Sequence, residues 1–581
     1  MSDPASIAPS NADIIAFLKR FAALMELGGQ SGFRVRAFDN AARMLEDLEV
    51  DIVDMSATET LTEIDGIGKG LADVITEFIE SGTTDGYTEL TEAVPETLLD
   101  ILRIPGLGTK KVKAIYTALE ITSLEQLEAA CHEGRLDGLA GFGKKTQENI
   151  LKGIAGLSRY QGQYRLDRAL EDARQLVHQL EAHPATIRVS IAGSLRRHKE
   201  VVKDVDIVLS TDTPLDVAAA FAAMPQVVEV LSQGERKTTI RVKSGIQVDL
   251  RLVPDENYAS MLHHFTGSKD HNVAMRSRAL SRDLHLNEYG LFHGRQGDGA
   301  RIDTGDESEL FRALGLSYVP PELREGLGEI EAGETDDLPI LVQAADIRGM
   351  LHVHTSASDG ADTVAGMVEA VRQRGYDYIC ICDHSKSAGY VFGLKEADID
   401  AQHADIDTLQ AGLADFRILK GIESDILRNG ALDYSDEILA RFDLVVIAIH
   451  NIMAMDEAAL TARVIKAIEH PASNIFAHPT GRLLLEREGY KINLEEVLAA
   501  AAANNVALEL NTHPARFDLD WRWLRRAREA GCRIAVNTDA HRISDLDSLD
   551  LGTGIARKGW LTPADVINTM SADDLLSWTG N

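Results

Sequence analysis

The sequence predicts a multidomain protein of mixed class, helical at its N-terminal end, α+β in the middle and α/β at its C-terminal end. Three observations carry that prediction. A paired-glycine pattern leading into an amphipathic helix recurs three times before residue 150, strand-like runs crowd residues 187–252, and beyond Ile347 short apolar runs alternate with helical stretches. At 581 residues the chain exceeds what a single core supports, so about three to five domains are expected.

Residues 1–90 read as a helical domain opening with the amphipathic stretch Ile14 to Leu27, and residues 91–160 as a second one. The segment SGFRVRAFDNAARML sets Arg34, Arg36 and Arg43 near Phe33 and Phe38. The repeat itself is IDGIGKG (64–70), IPGLGTK (104–110) and LAGFGKK (139–145), each followed by an amphipathic helix. This is the pattern of a helix-hairpin-helix, whose glycines let backbone N–H groups at a helix N-terminus come close to an anion. Gly66, Gly68, Gly106, Gly108, Gly141 and Gly143 would form the turns, and Lys69, Lys110, Lys111, Lys144 and Lys145 would face phosphates. One such turn is weak evidence, since it reads equally well as a plain helix cap. Three of them, each trailed by lysine, point to binding of the DNA backbone without regard to sequence.

The formal charge of −32 pulls the other way, because nucleic-acid-binding domains usually carry a basic balance. The acid is dispersed, as in the run from Glu322 to Asp337, and bound metal would neutralise part of it. The longest apolar run, Leu444 to Ile449, is far too short for a bilayer span, and MSDPASIAPS lacks the basic start and apolar stretch of a secretory signal. The four cysteines are Cys131, Cys380, Cys382 and Cys532. Cys380 and Cys382 stand two apart on an expected strand, which suits no disulfide, so a reducing cytoplasm is expected. They are read as lying on opposite faces and packing in a core, in preference to a thiolate zinc site.

In the middle, a helix from Leu166 to Leu180 precedes strand-like runs at 187–192, 205–209, 238–242 and 246–252. Asp204 and Asp206, two apart on a strand, point to one face, and Asp249 on another strand completes a trio. Crowded like charges need a cation, and three carboxylates with open positions suit two Mg²⁺ ions. Gly193 and Ser194 open a turn upstream with Arg196 and Arg197 close behind, a combination suited to phosphates. A helical, turn-rich piece follows to about Leu316, and the acidic stretch opened by Pro320 and Pro321 reads as a linker or interdomain wrap.

Beyond Ile347 the runs YICIC, RILKGI, LVVIAI, NIFAH, VALELN and RIAVNT indicate a parallel α/β layer or barrel. Nine ligand-type residues end or follow these runs: His352, His354, Asp359, His384, Glu423, His450, His478, Asp539 and His541. That is where such a barrel keeps its reactive side chains. Imidazoles bridged by carboxylates suit a cluster of Mn²⁺ or Zn²⁺, which makes hydroxide from water and clamps a phosphoester. His403, His470 and His513 fall outside the pattern and read as surface or loop residues. WRWLRRARE, with Arg522, Arg525, Arg526 and Arg528, reads as a solvated helix with packed tryptophans.

GSLRR…KDVD, QVDLRLV and HFTGSKDHNVAMR resemble, in order and spacing, the motifs of family X DNA polymerases. LHVHTSASDG, ICDHS, GIESDI, AHPTGRLL and NTDAH resemble the PHP (polymerase and histidinol phosphatase) domain. The resemblance covers nearly the whole chain and follows the bacterial and archaeal fusion of these two parts. It implies a nucleotidyltransferase palm (161–257), a thumb (258–320), a linker (321–347) and a distorted (β/α)7-type PHP barrel (348–581). It makes Asp204, Asp206 and Asp249 the catalytic, Mg²⁺-binding carboxylates, with Asp249 nearest the primer 3′-hydroxyl. Gly193, Ser194 and Arg197 would hold the triphosphate, and Thr266, Gly267, Ser268 and Asn272 would line the sugar and base.

Departures from the family pattern carry expectations of their own. Lys203 and Lys269 add positive charge beside the nucleotide, implying tight nucleotide binding. His264 stands where the family has tyrosine, and Met350 where PHP domains often have Asp. Val74 takes the position of the lyase lysine and has no amine, so little deoxyribose-phosphate lyase activity is expected. The implied function is a monomeric, cytoplasmic repair polymerase that fills gapped or nicked DNA from deoxynucleoside triphosphates. Its PHP site, holding a trinuclear Mn²⁺ or Zn²⁺ cluster, would act as a 3′-5′ exonuclease or phosphoesterase, or cut abasic sites. A PHP site working as a small-molecule phosphatase and a non-catalytic DNA-end-binding scaffold stay open as alternatives.

Overall fold

The computed structural model describes residue 9 and residues 11–46, 52–64, 66–104, 106–388 and 392–580. Residues 1–8 and Ser10, in the segment expected to carry no secretory signal, and Asp65 and Pro105 of the glycine repeats lie outside the described residues. The chain divides into two compact units, residues 1–161 and 162–581.

The first unit is helical. Its longest helix, Asn11–Gly28, packs against Gly32–Glu46, Asp85–Ala93 and Thr109–Leu119. Apolar residues at helical spacing (Ile14, Phe17, Leu18, Phe21, Met25) give that helix its buried face. Phe17 stacks on Phe78 with ring centroids 4.0 Å apart, and Phe21 meets Tyr87 edge-on at 5.4 Å. Among the described residues no helix is long and apolar enough to cross a membrane.

The second unit holds a five-stranded, a three-stranded and a seven-stranded sheet, and a two-stranded pairing of Tyr164–Arg165 with Val201–Val202. The first of these sheets, in the region expected as the palm, has five strands, β1 (Arg188–Ile191), β2 (Asp204–Ser210), β3 (Val227–Ser232), β4 (Lys237–Val242) and β5 (Gln247–Val253), in the order β1-β2-β5-β4-β3. Alternation decides which side chains face the core. Val205, Ile207 and Leu209 of β2 and Val248, Leu250 and Leu252 of β5 join one buried cluster with the Leu166–Glu181 helix. The intervening aspartates are thereby turned to the opposite face. β3 escapes sequence reading because most of this edge strand is exposed and its VVEVLS run lacks a buried face.

The helical, turn-rich stretch after Tyr258 also contains a three-stranded antiparallel sheet, β6 (Leu284–Asn287), β7 (Gly290–His293) and β8 (Arg301–Ile302). Residues 321–347, expected as a linker, carry the helix Glu329–Thr335 and bury Arg324 and Glu329 completely.

The third sheet is parallel throughout: β9 (Gly349–Val353), β10 (Tyr378–Ile381), β11 (Arg417–Asp425), β12 (Leu444–Ala448), β13 (Ile475–Phe476), β14 (Ala507–Asn511) and β15 (Ile534–Asn537), paired in chain order. A parallel bridge from Val353 to Ala540 closes the ring. The inward residues alternate along each strand from an apolar floor to a polar rim: Leu419, Gly421 and Glu423 on β11; Leu444, Val446, Ala448 and then His450 from β12; Ala507, Glu509 and Asn511 on β14.

That periodicity corrects the reading of the two cysteines. Residues two apart on a strand share a face, so Cys380 and Cys382 both point inward, with their sulfurs 3.6 Å apart and no exposure. Gly421 makes room for them, since a Cβ there would stand 2.5 Å from both. The expectation of core packing holds. His403 is also corrected: it is buried on the Glu396–Gln410 helix, edge-on to Phe442. The arginines of the Trp521–Glu529 helix are exposed or half-buried, in keeping with the expected solvated helix, and they also form ion pairs, Arg522 with Glu200, Arg526 with Glu495 and Arg528 with Asp565.

Candidate functional site

The three glycine turns fold alike. Gly66, Gly106 and Gly141 sit at φ of 82°, 83° and 87°, a left-handed conformation that favours glycine. The apolar residue between each glycine pair, Ile67, Leu107 or Phe142, is buried and donates its N–H to Ile64, Ile104 or Leu139. Gly68 and Gly108 then cap the Lys69–Ser81 and Thr109–Leu119 helices, and Gly143 precedes Lys144–Tyr160. A Cβ on any of the six glycines would meet nothing within 4 Å. Each turn thus presents helix N-terminal N–H groups on an open face, with Lys69, Lys110 and Lys144 in the first turn of the helix behind. Val74 lies on the first of these helices and packs against the core.

In the palm, parallel β2 and β5 set Asp206 directly opposite Asp249, and Thr239 of β4 lies beside Asp249 on its other flank. Thr239 donates its hydroxyl to Asp249 at 2.8 Å. Burial and the charges of Asp204 and Asp249 push the Asp206 carboxyl up to about 7, and the same kinds of cause raise Asp204. A donor set that resists ionising together fits a site for divalent cations. Gly193 is indispensable to this packing: at φ 64° it turns the chain beside Asp206, and a Cβ there would stand 2.5 Å from the Asp206 carboxylate.

Sequence reasoning missed Lys237. Its ammonium is 2.5 Å from Asp249, with Arg251 4.0 Å from the same carboxylate. Lys203 is exposed next to Asp204. Ser194 follows Gly193 in the turn. Arg197, expected on the triphosphate, is buried, with Nε on Glu325 (2.9 Å) and a second nitrogen on the Thr266 carbonyl. Arg196 reaches the Thr266 hydroxyl (2.7 Å) and Glu307 (2.6 Å). Both arginines therefore brace the 266–269 loop from behind. Ser268 caps the Lys269–Ser281 helix, Lys269 is exposed in its first turn, and Asn272 donates to the His264 carbonyl at 2.7 Å.

All nine residues expected as barrel ligands converge at the rim. His354, Asp359, His384 and His541 form one group, His352, His354 and Asp539 a second, and His384, Glu423 and His450 a third. His478 joins through Glu423, 3.2 Å away. Glu423 touches His384 at 2.7 Å and His450 at 3.3 Å, and Asp359 touches His384 at 3.4 Å and His541 at 3.3 Å. Burial opposes charge on His384, yet Glu423 and Asp359 lift its pKa to about 10. His354, hemmed in by burial and by His541 and His384, falls to about 3, and among the described residues its buried Nδ1 has no hydrogen-bond partner. An orphaned imidazole nitrogen between carboxylates is a donor set that fits a transition-metal cluster.

Two supporting carboxylates, Glu509 and Asp425, were missed in the sequence. Glu509 accepts from Nδ1 of His352 (2.7 Å), and Asp425 pairs with Nδ1 of His450 (2.7 Å), orienting those rings. Met350 is buried, with its sulfur 4.0 Å from the Thr538 hydroxyl. The inward alternation of VALELN on β14 was the signal that could have flagged Glu509.

Comparison with known proteins agrees with this architecture. Models of a helix-hairpin-helix domain match residues 9–84, a SAM-like helix-hairpin-helix tandem residues 98–155, the DNA polymerase beta thumb residues 261–325 and the PHP domain residues 350–513. The DNA polymerase/3′-5′ exonuclease PolX of Bacillus subtilis is 39% identical over 571 residues, covering 97% of this chain and 98% of that protein. DNA polymerase lambda of Rattus norvegicus is 23% identical over 47% of this chain and 49% of its own length. A probable phosphatase of Thermoanaerobacter sp. is 26% identical over 38% of this chain and 89% of its own length. With such identity running almost end to end and both sets of domains in place, the chain belongs to the family X DNA polymerases that carry helix-hairpin-helix domains, a beta-type thumb and a C-terminal PHP domain.

Proposed function

We propose that this chain is a repair polymerase that fills short DNA gaps and an exonuclease that trims 3′ ends at its barrel. The observation that carries the reading is the row Asp206–Asp249 on adjacent parallel strands, with Asp204 on the same face and the Gly193 turn alongside. The near-full-length relative bearing the name DNA polymerase/3′-5′ exonuclease supports it.

Asp204, Asp206 and Asp249 would hold two Mg²⁺ ions, which would supply charge stabilisation for phosphoryl transfer. Asp249 stands nearest the primer 3′-hydroxyl and takes part in its deprotonation. Gly193 and Ser194 receive the phosphates, Lys203 and Lys269 add positive charge beside them, and Thr266, Gly267, Ser268 and Asn272 position sugar and base for in-line displacement of pyrophosphate. Arg197 acts on the nucleotide by holding the Thr266 backbone. The glycine turns bind gapped or nicked DNA by its phosphates, with Lys69, Lys110 and Lys144 contributing charge.

At the barrel, His352, His354, Asp359, His384, Glu423, His450, His478, Asp539 and His541 would hold a trinuclear set of Mn²⁺ or Zn²⁺, whose chemistry when bound would be the activation of water for hydrolysis of 3′-terminal phosphodiesters or abasic sites. The four buried, unpaired cysteines suit a cytoplasmic setting, and the chain works as a monomer.

The test is a 5′-labelled primer in a one-nucleotide-gapped duplex with Mn²⁺, run with and without nucleotides. Extension that Asp249→Asn abolishes and shortening that His384→Ala abolishes are expected. Extension without shortening would reassign the barrel to another phosphoester, a direction in which the probable phosphatases point. A gel shift with neither reaction would leave a DNA-end-binding scaffold.

A further inference from the structure

The turn that begins at Gly193 leans at its far end on the barrel. Lys558, buried at the end of the Ser548–Lys558 helix, donates to the Arg197 carbonyl at 3.0 Å and pairs with Glu325 at 2.5 Å. Glu325 in turn holds Nε of Arg197, whose other arm reaches the Thr266 carbonyl of the 266–269 loop. On the same face of that helix, one turn earlier, Gly554 admits the ring of His198: a Cβ there would stand 2.2 Å from it. Two residues on, Glu200 accepts from the indole N–H of Trp521 at 3.0 Å and pairs with Arg522 at 2.8 Å. Positions 197, 198 and 200 are thus all gripped by two outer helices of the barrel.

Packing alone would not call for this chemistry. Replacing a buried ion triad by apolar side chains of the same volume is often neutral or stabilising, whereas removing one member leaves the others as uncompensated buried charges. Among the described residues the Lys558 ammonium meets the Arg197 and Glu322 carbonyls, Glu325 and the Trp521 ring, none of them a barrel ligand.

We propose that the outer barrel helices are part of the nucleotide site: Lys558, through Glu325 and Arg197, and Gly554, through His198, are positioning residues that hold the 193–200 turn and the 266–269 loop at the spacing the triphosphate requires. This rests on the reading of those two segments as the nucleotide contacts.

Full-length Lys558→Met and Gly554→Ala proteins test it, by gap extension over a nucleotide titration and by shortening of the same primer without nucleotides. The KM for nucleotide rises by about tenfold or more while kcat changes by less than about threefold, and shortening stays within about twofold of the parent. Adding His198→Ala to Gly554→Ala removes the obstructing ring and returns KM most of the way. Unchanged KM in both variants overturns the proposal, as does failure of His198→Ala to rescue. If Lys558→Met loses both activities together, the Gly554 pair decides. Extension persisting in Asp206→Asn would instead overturn the reading of the palm, and the proposal with it.

Discussion

Replacing Glu509 by glutamine should cripple metal binding at the barrel while sparing the palm. Glu509 has no exposed surface, and four donors converge on its carboxylate: His352 Nδ1 (2.7 Å) and Asn537 Nδ2 (2.9 Å) on one oxygen, the His478 backbone N–H (2.7 Å) and Asn511 Nδ2 (3.2 Å) on the other. Glutamine keeps the shape but turns one end into a donor. Whichever way the amide faces, two of these donors lose their acceptor, and the charge that steadies the His352 ring is gone. Residues that orient a metal-binding imidazole typically govern about 10- to 100-fold in metal affinity. That is about 1.4 to 2.8 kcal/mol. Competition against a chelating dye reads the affinity for Mn²⁺ and Zn²⁺ directly, and primer extension in the same preparation serves as the control. Parental metal affinity in Glu509→Gln would refute the role assigned to this carboxylate.

Further outcomes are open to measurement. Burial pushes Glu307 up, but the charges of Arg324 and Arg196 and their hydrogen bonds bring it down to about 2 from 4.5. A carboxyl lowered in this way stabilises the fold above its unfolded pKa, and that contribution, about 3 kcal/mol, drains away as pH falls from about 4.5 toward 2. All four tryptophans, 521, 523, 560 and 578, lie in the second unit, so their fluorescence during urea unfolding should show the gap between parent and Glu307→Gln shrinking across that window. Alanine at Gly66, Gly106 or Gly141 forces a left-handed residue costing about 1–2 kcal/mol. Gel shifts should show weaker binding of gapped DNA with an unchanged salt slope, whereas Lys144→Ala should flatten that slope by about one. Borohydride should trap no adduct on a 5′-deoxyribose-phosphate end, because Val74 is packed and amine-free; an adduct surviving Lys69→Ala would show the hairpin alignment to be wrong.

What could be read beforehand follows from how local each signal is. Hairpin turns, the D-V-D strand and the barrel motifs are short patterns whose geometry is fixed by neighbours in sequence, and their residues stand where periodicity put them. Long-range pairings were invisible. Lys237 reaches Asp249 from a neighbouring strand, Glu509 reaches His352 across 157 residues, and Glu325 meets Arg197 across 128. The small antiparallel sheet after Tyr258 was hidden because strands of two to four residues give too few alternations to register.

The register between β2 and β5 also says how this molecule should wear under heat. Asp206 and Asp249 are separated by one step of a backbone ladder, about 4.8 Å, so their spacing is carried by peptide units and not by side-chain packing. The barrel cluster is stiffened only in part: His352 and Glu423 sit on paired strands, but Asp359 and His541 hang on loops beyond β9 and β15. On gradual heating, trimming should fade first as those loops fray, while extension should persist until the palm sheet itself comes apart.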